Sequence, residues 1–370
     1  MPSSTSSFKT YELERIIPKH HWVVLAILTL IFTSILTLGW ETYVRSIGYA
    51  PTLNDSEDLW ASRRAIVDEE PGRTVLIGSS RMLFDFDMDV YKEEFGSRPL
   101  QLATVGTNPG PYLEDLANHP DYSGTVIVGV VPGLFFAPGG PPMKSPANHL
   151  KRFREWSPTQ KFSHQVSLIV EKWFALLNEN DLTLNQLLLS LKLPNRKKVK
   201  TKPDLPPYFH EVDAERQGRM TEVAANSPDL QNRIQQIWIP LFTPPLPKKG
   251  KSAEEAKADF GKAVEMILGK TKVHVDKIRE KGGKVIFIRL PSTGKLREME
   301  NTFTPRQHFW DRILETTGAP GIHFEDYAKL KGFDCPEWSH LNRKDASEFT
   351  KRLMPILTTH LSLTEGAAVP

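Results

Sequence analysis

Two short stretches hold residues whose types and spacing suit covalent chemistry. In VLIGSSRMLFDFD, Val75 to Asp87, an apolar run enters Gly78-Ser79-Ser80-Arg81, and a serine in a turn directly after a strand becomes a nucleophile if a base reaches it. In PEWSHLN, Glu337 and His340 stand three apart before a helical pattern, so the carboxylate can accept from the imidazole and orient it. Serine, base and acid would then form one acyl-transfer triad. Other uses of the same residues are open: Ser79 and Ser80 suit a helix cap, and His340 suits a carbonyl bond at a helix entry. Glu337 with His340 offers half a metal site, but no second pair at ligand spacing joins them, so no metal and no cofactor are expected. Arg81 is aimed at a substrate carboxylate or phosphate, or is paired with Asp85 or Asp87. A third cluster begins at Arg289, which ends the apolar run KVIFIRLP, and continues through Ser292, Thr293, Lys295, Arg297 and Arg306. Cations at one rim suit an anionic glycan or carboxylated substrate, with a solvated rim as the simpler use.

The elements that would position these groups follow from apolar periodicity. TVLIG, PLQLATVG and TVIVGVV read as buried strands, and FDMDVYKEEFG and PYLEDLANH between them read as helices. Such alternation predicts parallel βαβ units in an α/β sheet covered on both faces. From residue 138 to 253 the alternation stops, and this proline-studded stretch reads as an insertion. It holds a helical pair, KFSHQVSLIVEKWFALLNE and TLNQLLLSLK, then the basic run PNRKKVKTKPD. The apolar face of the first, Val166, Ile169, Val170, Trp173 and Phe174, is expected to pack on the core. The basic run reads as a solvated loop, with anionic polymer or lipid headgroups as the alternative contact. Alternation resumes with a helix over 254–280, the strand KVIFIRLP, a helix near 309–316, the strand IHFEDY and a last helix from Arg343 capped by Asn342. The core is thus split between residues 70–137 and 254–360, with a linker over 41–69 and a tail over 361–370. In parallel strands the carboxyl ends lie together, so the loop of Ser80 and the loop of His340 should share one sheet edge.

In their order and placement these motifs resemble the SGNH (GDSL-like) hydrolase family. Its first block matches Gly78-Ser79-Ser80, which places the family nucleophile at Ser80. The glycine of its second block matches Gly106 in ATVGTNPG, and its Asp-x-x-His block matches Glu337-Trp338-Ser339-His340, with Glu in place of Asp. The Gly-Ser-Ser variant is similar to the membrane-anchored branch that includes the D-alanyl transfer protein of teichoic acid synthesis and the alginate O-acetylation proteins. The resemblance implies a three-layer α/β/α, flavodoxin-like architecture. The family's third block, Gly-x-Asn-Asp, finds no asparagine in GVVPGLFF, Gly129 to Phe136. Oxyanion donors are then expected from the backbone N–H groups of Ser80 and Gly106 and from the side chain of Asn108. A missing donor of this kind typically costs about 3 to 4 kcal/mol of transition-state stabilisation.

One further segment sets the compartment. Trp22 to Trp40, WVVLAILTLIFTSILTLGW, carries no charge and as a helix spans roughly 28 Å, enough to cross a bilayer. Lys9, Arg15 and Lys19 precede it while only Arg45 closely follows, so the tail over 1–21 is expected to be cytoplasmic and the main domain periplasmic or extracellular. The run is long for a signal peptide and no A-x-A site follows, which favours an uncleaved signal anchor. The remaining composition is that of an ordinary globular chain: 370 residues, 25% charged, 39% hydrophobic, net charge +3. So small a charge gives no argument for nucleic acid. The lone Cys335 excludes an intrachain disulfide. The sequence therefore predicts a single-pass membrane protein acting as a serine esterase or O-acyltransferase on acyl, chiefly acetyl, esters of envelope or secreted polysaccharide. A membrane-bound acyl donor protein would be a further partner. The competing expectation is a catalytically inactive binding or assembly factor on the same fold.

Overall fold

A computed structural model of the protein describes residues 21–184, 187–188, 209–244, 247 and 250–366. It divides into two units, Met1–Ile47 and Gly48–Pro370. In the first, helix α1 (Trp22–Ser46) is long and apolar enough to cross a membrane, and it continues past Trp40 through a more polar last turn.

The second unit is an α/β structure. After α2 (Glu57–Glu69) come strand β1 (Val75–Ile77), the short helix α3 (Ser80–Phe84), α4 (Met88–Phe95), β2 (Leu100–Gln101), α5 (Gly110–Asn118) and β3 (Thr125–Gly129). A largely helical stretch follows: α6 (Pro132–Phe135), α7 (Pro141–Arg154), α8 (Pro158–Glu171) and α9 (Glu179–Leu182). The hairpin β4 (His210–Val212) and β5 (Gly218–Met220) then leads to α10 (Glu222–Asn226) and α11 (Pro228–Phe242). The chain closes with α12 (Ala253–Glu280), β6 (Lys284–Arg289), α13 (Gly294–Phe303), α14 (Trp310–Thr317), β7 (Gly321–His323) and α15 (Arg343–Gly366).

Five strands form one wholly parallel sheet in the order β2-β1-β3-β6-β7. Because successive side chains point to opposite faces, Leu76, Ile127, Ile286, Ile288 and Ile322 enter one apolar cluster. Val75, Ile77, Val126, Val128, Val285 and Phe287 enter another. Both faces are therefore covered, as the β-branched runs of the sequence require. Strand β1 lies between β2 and β3, so the chain leaves it to one side and returns to the other. The carboxyl ends of β1 and β3 flank a topological switch point, where open α/β sheets bind ligands.

Several sequence expectations change. Residues 41–69 are not a linker throughout: α2 buries Leu59, Trp60, Ala61 and Val67, and Trp60 and Val67 join one of the sheet clusters. The last helix runs on into the tail expected from residue 361. The stretch between the strand KVIFIRLP and the helix near 309–316, where no element was expected, contains α13. The insertion is tied into the core by Arg216, which is fully buried. Its guanidinium bonds both oxygens of Asp55 at 2.7 and 2.9 Å and the carbonyls of Gln101 and Ala103 at 2.8 and 3.0 Å. A buried guanidinium needs such complete pairing to offset its desolvation.

The largest departure is α8. Its apolar face was expected to pack inward, yet Val166, Ile169 and Val170, with Trp173 just past the helix end, are 43, 64, 39 and 72% exposed, while Phe174 of the expected face is partly buried. The inward side carries His164 and the partly buried Leu168 instead, with Leu168 packed on Leu53, Leu59 and Val212. Most of TLNQLLLSLK and all of the basic run PNRKKVKTKPD lie outside the described residues.

Candidate active site

Strand β1 delivers Gly78 to a crowded point between β1 and β3. A Cβ there would sit 2.8 Å from Met82 Cβ and 3.1 Å from the Gly129 carbonyl oxygen, so only glycine fits. Ser79 is the N-cap residue of α3 but makes no side-chain cap bond, and Ser80 is the first helical residue. The helix-cap use of these serines is therefore not what their side chains do. Ser80 Oγ is 2.8 Å from His340 Nε2.

The base and acid sit in a tight loop before α15. Trp338 has φ 78°, a left-handed conformation unfavourable for a large residue, and it turns Glu337 and His340 to one side. The loop is fixed by Thr293 N donating to Trp338 O at 2.9 Å and Trp338 N donating to Cys335 O at 2.8 Å. The Trp338 indole lies flush on Gly294, where an added Cβ would come within 2.5 Å of the ring. Glu337 Oε1 accepts from His340 N at 2.6 Å and from His340 Nδ1 at 2.8 Å. With Nδ1–H turned to the carboxylate, the neutral ring presents Nε2 as an acceptor to the serine hydroxyl. Glu337 Oε2 accepts from the indole N–H of Trp238 on α11.

Aromatic rings wall the imidazole. Phe84, Phe209 and Trp238 meet it edge-on with centroids 5.1, 5.5 and 5.9 Å away. Glu337 and His340 are 0 and 1% exposed, while Ser80 is 9% exposed at the mouth. Water is thus kept from the two inner hydrogen bonds, which strengthens them. Beneath the site, Leu341 N donates to Asp85 Oδ1 at 2.9 Å and joins the end of α3 to the His340 loop. Burial raises the Asp85 carboxyl well above its usual range, against the opposing effects of Leu341 N–H and Arg81.

The remaining candidates divide. The N–H groups of Ser80 and Gly106 donate to no acceptor among the described residues, so both remain available to an oxyanion. Asn108 is differently employed: its side-chain amide donates to the carbonyls of Phe135 and Ala137 at 2.7 and 3.1 Å, and its oxygen accepts from Gly110 N at 2.8 Å. It fastens the loop after β3 to the loop after β2, and its donors are already committed. Arg81 and Arg289 do not face a substrate either. Both are 1% exposed and converge on Glu300 of α13, Arg81 Nη2 at 2.8 Å and Arg289 Nη2 at 2.5 Å, with Ser292 Oγ donating to the same carboxylate at 2.6 Å. Arg81 therefore pairs with Glu300, neither with Asp85 nor with Asp87. Glu300 is held at about 2, since its upward push by burial is outweighed by Arg289 and Arg81.

Three contributors escaped the sequence reading. Glu300 had a signal, because two arginines at strand ends in an apolar context call for a buried acid. Trp238 and Phe209 lie in the irregular stretch and carried none. Among the described residues no group of three or more His, Cys, Asp or Glu side chains stands ready to hold a metal. No family model, curated protein or solved structure matches the chain.

Proposed function

We propose that the protein is a serine ester hydrolase or O-acyltransferase of SGNH type, anchored in a membrane by α1 with its α/β unit on the outer side. The observation that carries this reading is the unbroken relay from Ser80 Oγ through His340 to Glu337, at 2.8 Å for each link. In this mechanism Ser80 Oγ attacks the ester carbonyl while His340 Nε2 takes its proton and then returns it to the leaving alcohol. Glu337 holds the ring and stabilises the imidazolium. The backbone N–H groups of Ser80 and Gly106 receive the oxyanion. Water or a sugar hydroxyl then attacks the acyl-serine, with His340 again acting as base, to give hydrolysis or transfer. Acyl, chiefly acetyl, esters of envelope or secreted polysaccharide are the substrate class, supported by the motif resemblance and the apolar helix. A membrane-bound protein would supply the acyl group for transfer.

Asn108 favours a second reading. Its committed amide leaves the oxyanion with backbone donors alone, as in a binding or assembly factor that has kept the fold and lost the reaction. Labelling with a fluorophosphonate, wild type beside Ser80→Ala, separates the two. The catalytic reading expects Ser80-dependent labelling together with turnover of a small acetyl ester that Ser80→Ala abolishes. Absence of labelling in folded wild-type protein would sink it.

A further inference from the structure

Helix α8 is built inside out for a soluble protein. Phe162, Val166 and Ile169 follow the spacing of one helical stripe, Trp173 extends it in the turn just past the helix end, and the four are 68, 43, 64 and 72% exposed, while His164 on the other side is buried. Hydrogen bonds at both ends of the helix set this orientation. A capping box at Ser157 and Gln160 fixes its start, and near its end Glu171 Oε2 accepts from Asn54 N at 2.9 Å. Exposed Leu184 and Leu188 add further apolar surface shortly beyond it. Contiguous apolar surface of this kind marks an interaction site.

We infer that α8 lies in the headgroup region of the bilayer that α1 enters, as an interfacial helix with Phe162, Val166, Ile169 and Trp173 dipped toward the acyl chains. Two observations select lipid as the occupant. First, the residues that seat α8 are those that follow α1 in the chain: Leu53 packs on Leu168, and Asn54 bonds Glu171 and the Leu177 carbonyl. From Ser46 to Asn54 the chain reaches at most about 28 Å even when fully extended. Second, the charges suit an anionic surface. Lys161 and Lys172 are exposed at the two ends of the stripe, whereas Glu171, the only acid in the helix, is engaged by Asn54. An amphipathic helix with aromatic residues in its apolar face and lysines at its border is the form that binds an anionic bilayer surface. The inference rests on the membrane-anchoring part of the reading above and is independent of the triad.

The test uses the full chain in vesicles of phosphatidylethanolamine and phosphatidylglycerol. Nitroxide labels are placed by Phe162→Cys and Ile169→Cys, with Cys335 buried and unreactive in the folded protein. Collision with dissolved oxygen is compared with collision with a water-soluble nickel chelate. Met266→Cys on α12 is the aqueous control, since Met266 is 50% exposed, and Ile31→Cys reports on α1. Labels at 162 and 169 should favour oxygen severalfold more than the label at 266. If they match the label at 266 while the label at 31 is lipid-immersed, the inference is overturned and the stripe serves a protein partner or solvent. If the label at 31 is itself water-accessible, the anchoring reading fails and the interfacial helix with it.

Discussion

Replacing Trp238 by Phe keeps an aromatic ring beside His340 but deletes the N–H that bonds Glu337 Oε2. Glu337 is fully buried, so no water can replace that donor without opening the site. Hydrogen bonds to charged groups are worth about 1.5 to 3 kcal/mol net. If the transition state, in which His340 is an imidazolium, loses this amount in full, kcat falls about ten- to hundredfold, at 1.36 kcal/mol per decade. KM for a small ester should hardly move, because the indole N–H is turned to the acid. The assay is hydrolysis of a chromogenic acetyl ester by the full-length protein, with the rate of fluorophosphonate labelling as a second readout. In a Glu337→Gln background the same substitution should do little more, because both changes act through one carboxylate. Unchanged kcat in a folded Trp238→Phe variant, or full additivity with Glu337→Gln, would refute the reasoning.

Glu300→Gln should cost about 3 to 5 kcal/mol by leaving Arg81 and Arg289 buried without their counter-charge, read as a fall in urea midpoint. The pH dependence of that loss has a definite sign. With Glu300 at about 2 in the folded protein and an ordinary value of 4.5, its stabilisation is complete above about pH 4.5 and disappears toward pH 2, so the variant should lack this acid limb. Asp85 behaves oppositely: its raised value favours the fold below about pH 3.8 and penalises it as pH rises, so Asp85→Asn should gain stability relative to wild type as pH is raised. A parallel pair of stability curves would remove burial as the cause. Gly294→Ala should lower the melting temperature and acyl-ester turnover together, since its Cβ meets the Trp338 ring at a φ of +55°, an overpacking cost of about 1 to 3 kcal/mol.

The parallel sheet was readable because TVIVG and KVIFIR carry unbroken apolar centres, Val126 to Val128 and Val285 to Ile288, as strands covered on both faces must. The pairing of Ser80 with His340 was readable because parallel strands bring their carboxyl ends to one edge, whatever the sequence separation. Asn108 misled for a physical reason: a polar residue near a catalytic loop has the right chemistry for an oxyanion donor, and only tertiary geometry shows its amide spent on Phe135 and Ala137. Arg81 and Arg289 misled in the same way, because the acid that claims both sits in α13, a helix that no apolar periodicity announces. The outward face of α8 has a periodicity identical to that of a core helix. Periodicity locates an apolar stripe and is silent on what covers it.

The relay joins residues 260 positions apart, and its acid takes a further donor from the stretch between them. Closing a loop over such a span is slow compared with forming a local helix, so the relay cannot precede the helices that flank it. A chain that ends before Glu337 carries the serine and the folded sequence around it but has neither base nor acid. On the catalytic reading proposed above, synthesis order would act as a safety catch: Ser80 would have no base or acid to activate it until the segment carrying Glu337 and His340 has been made and packed.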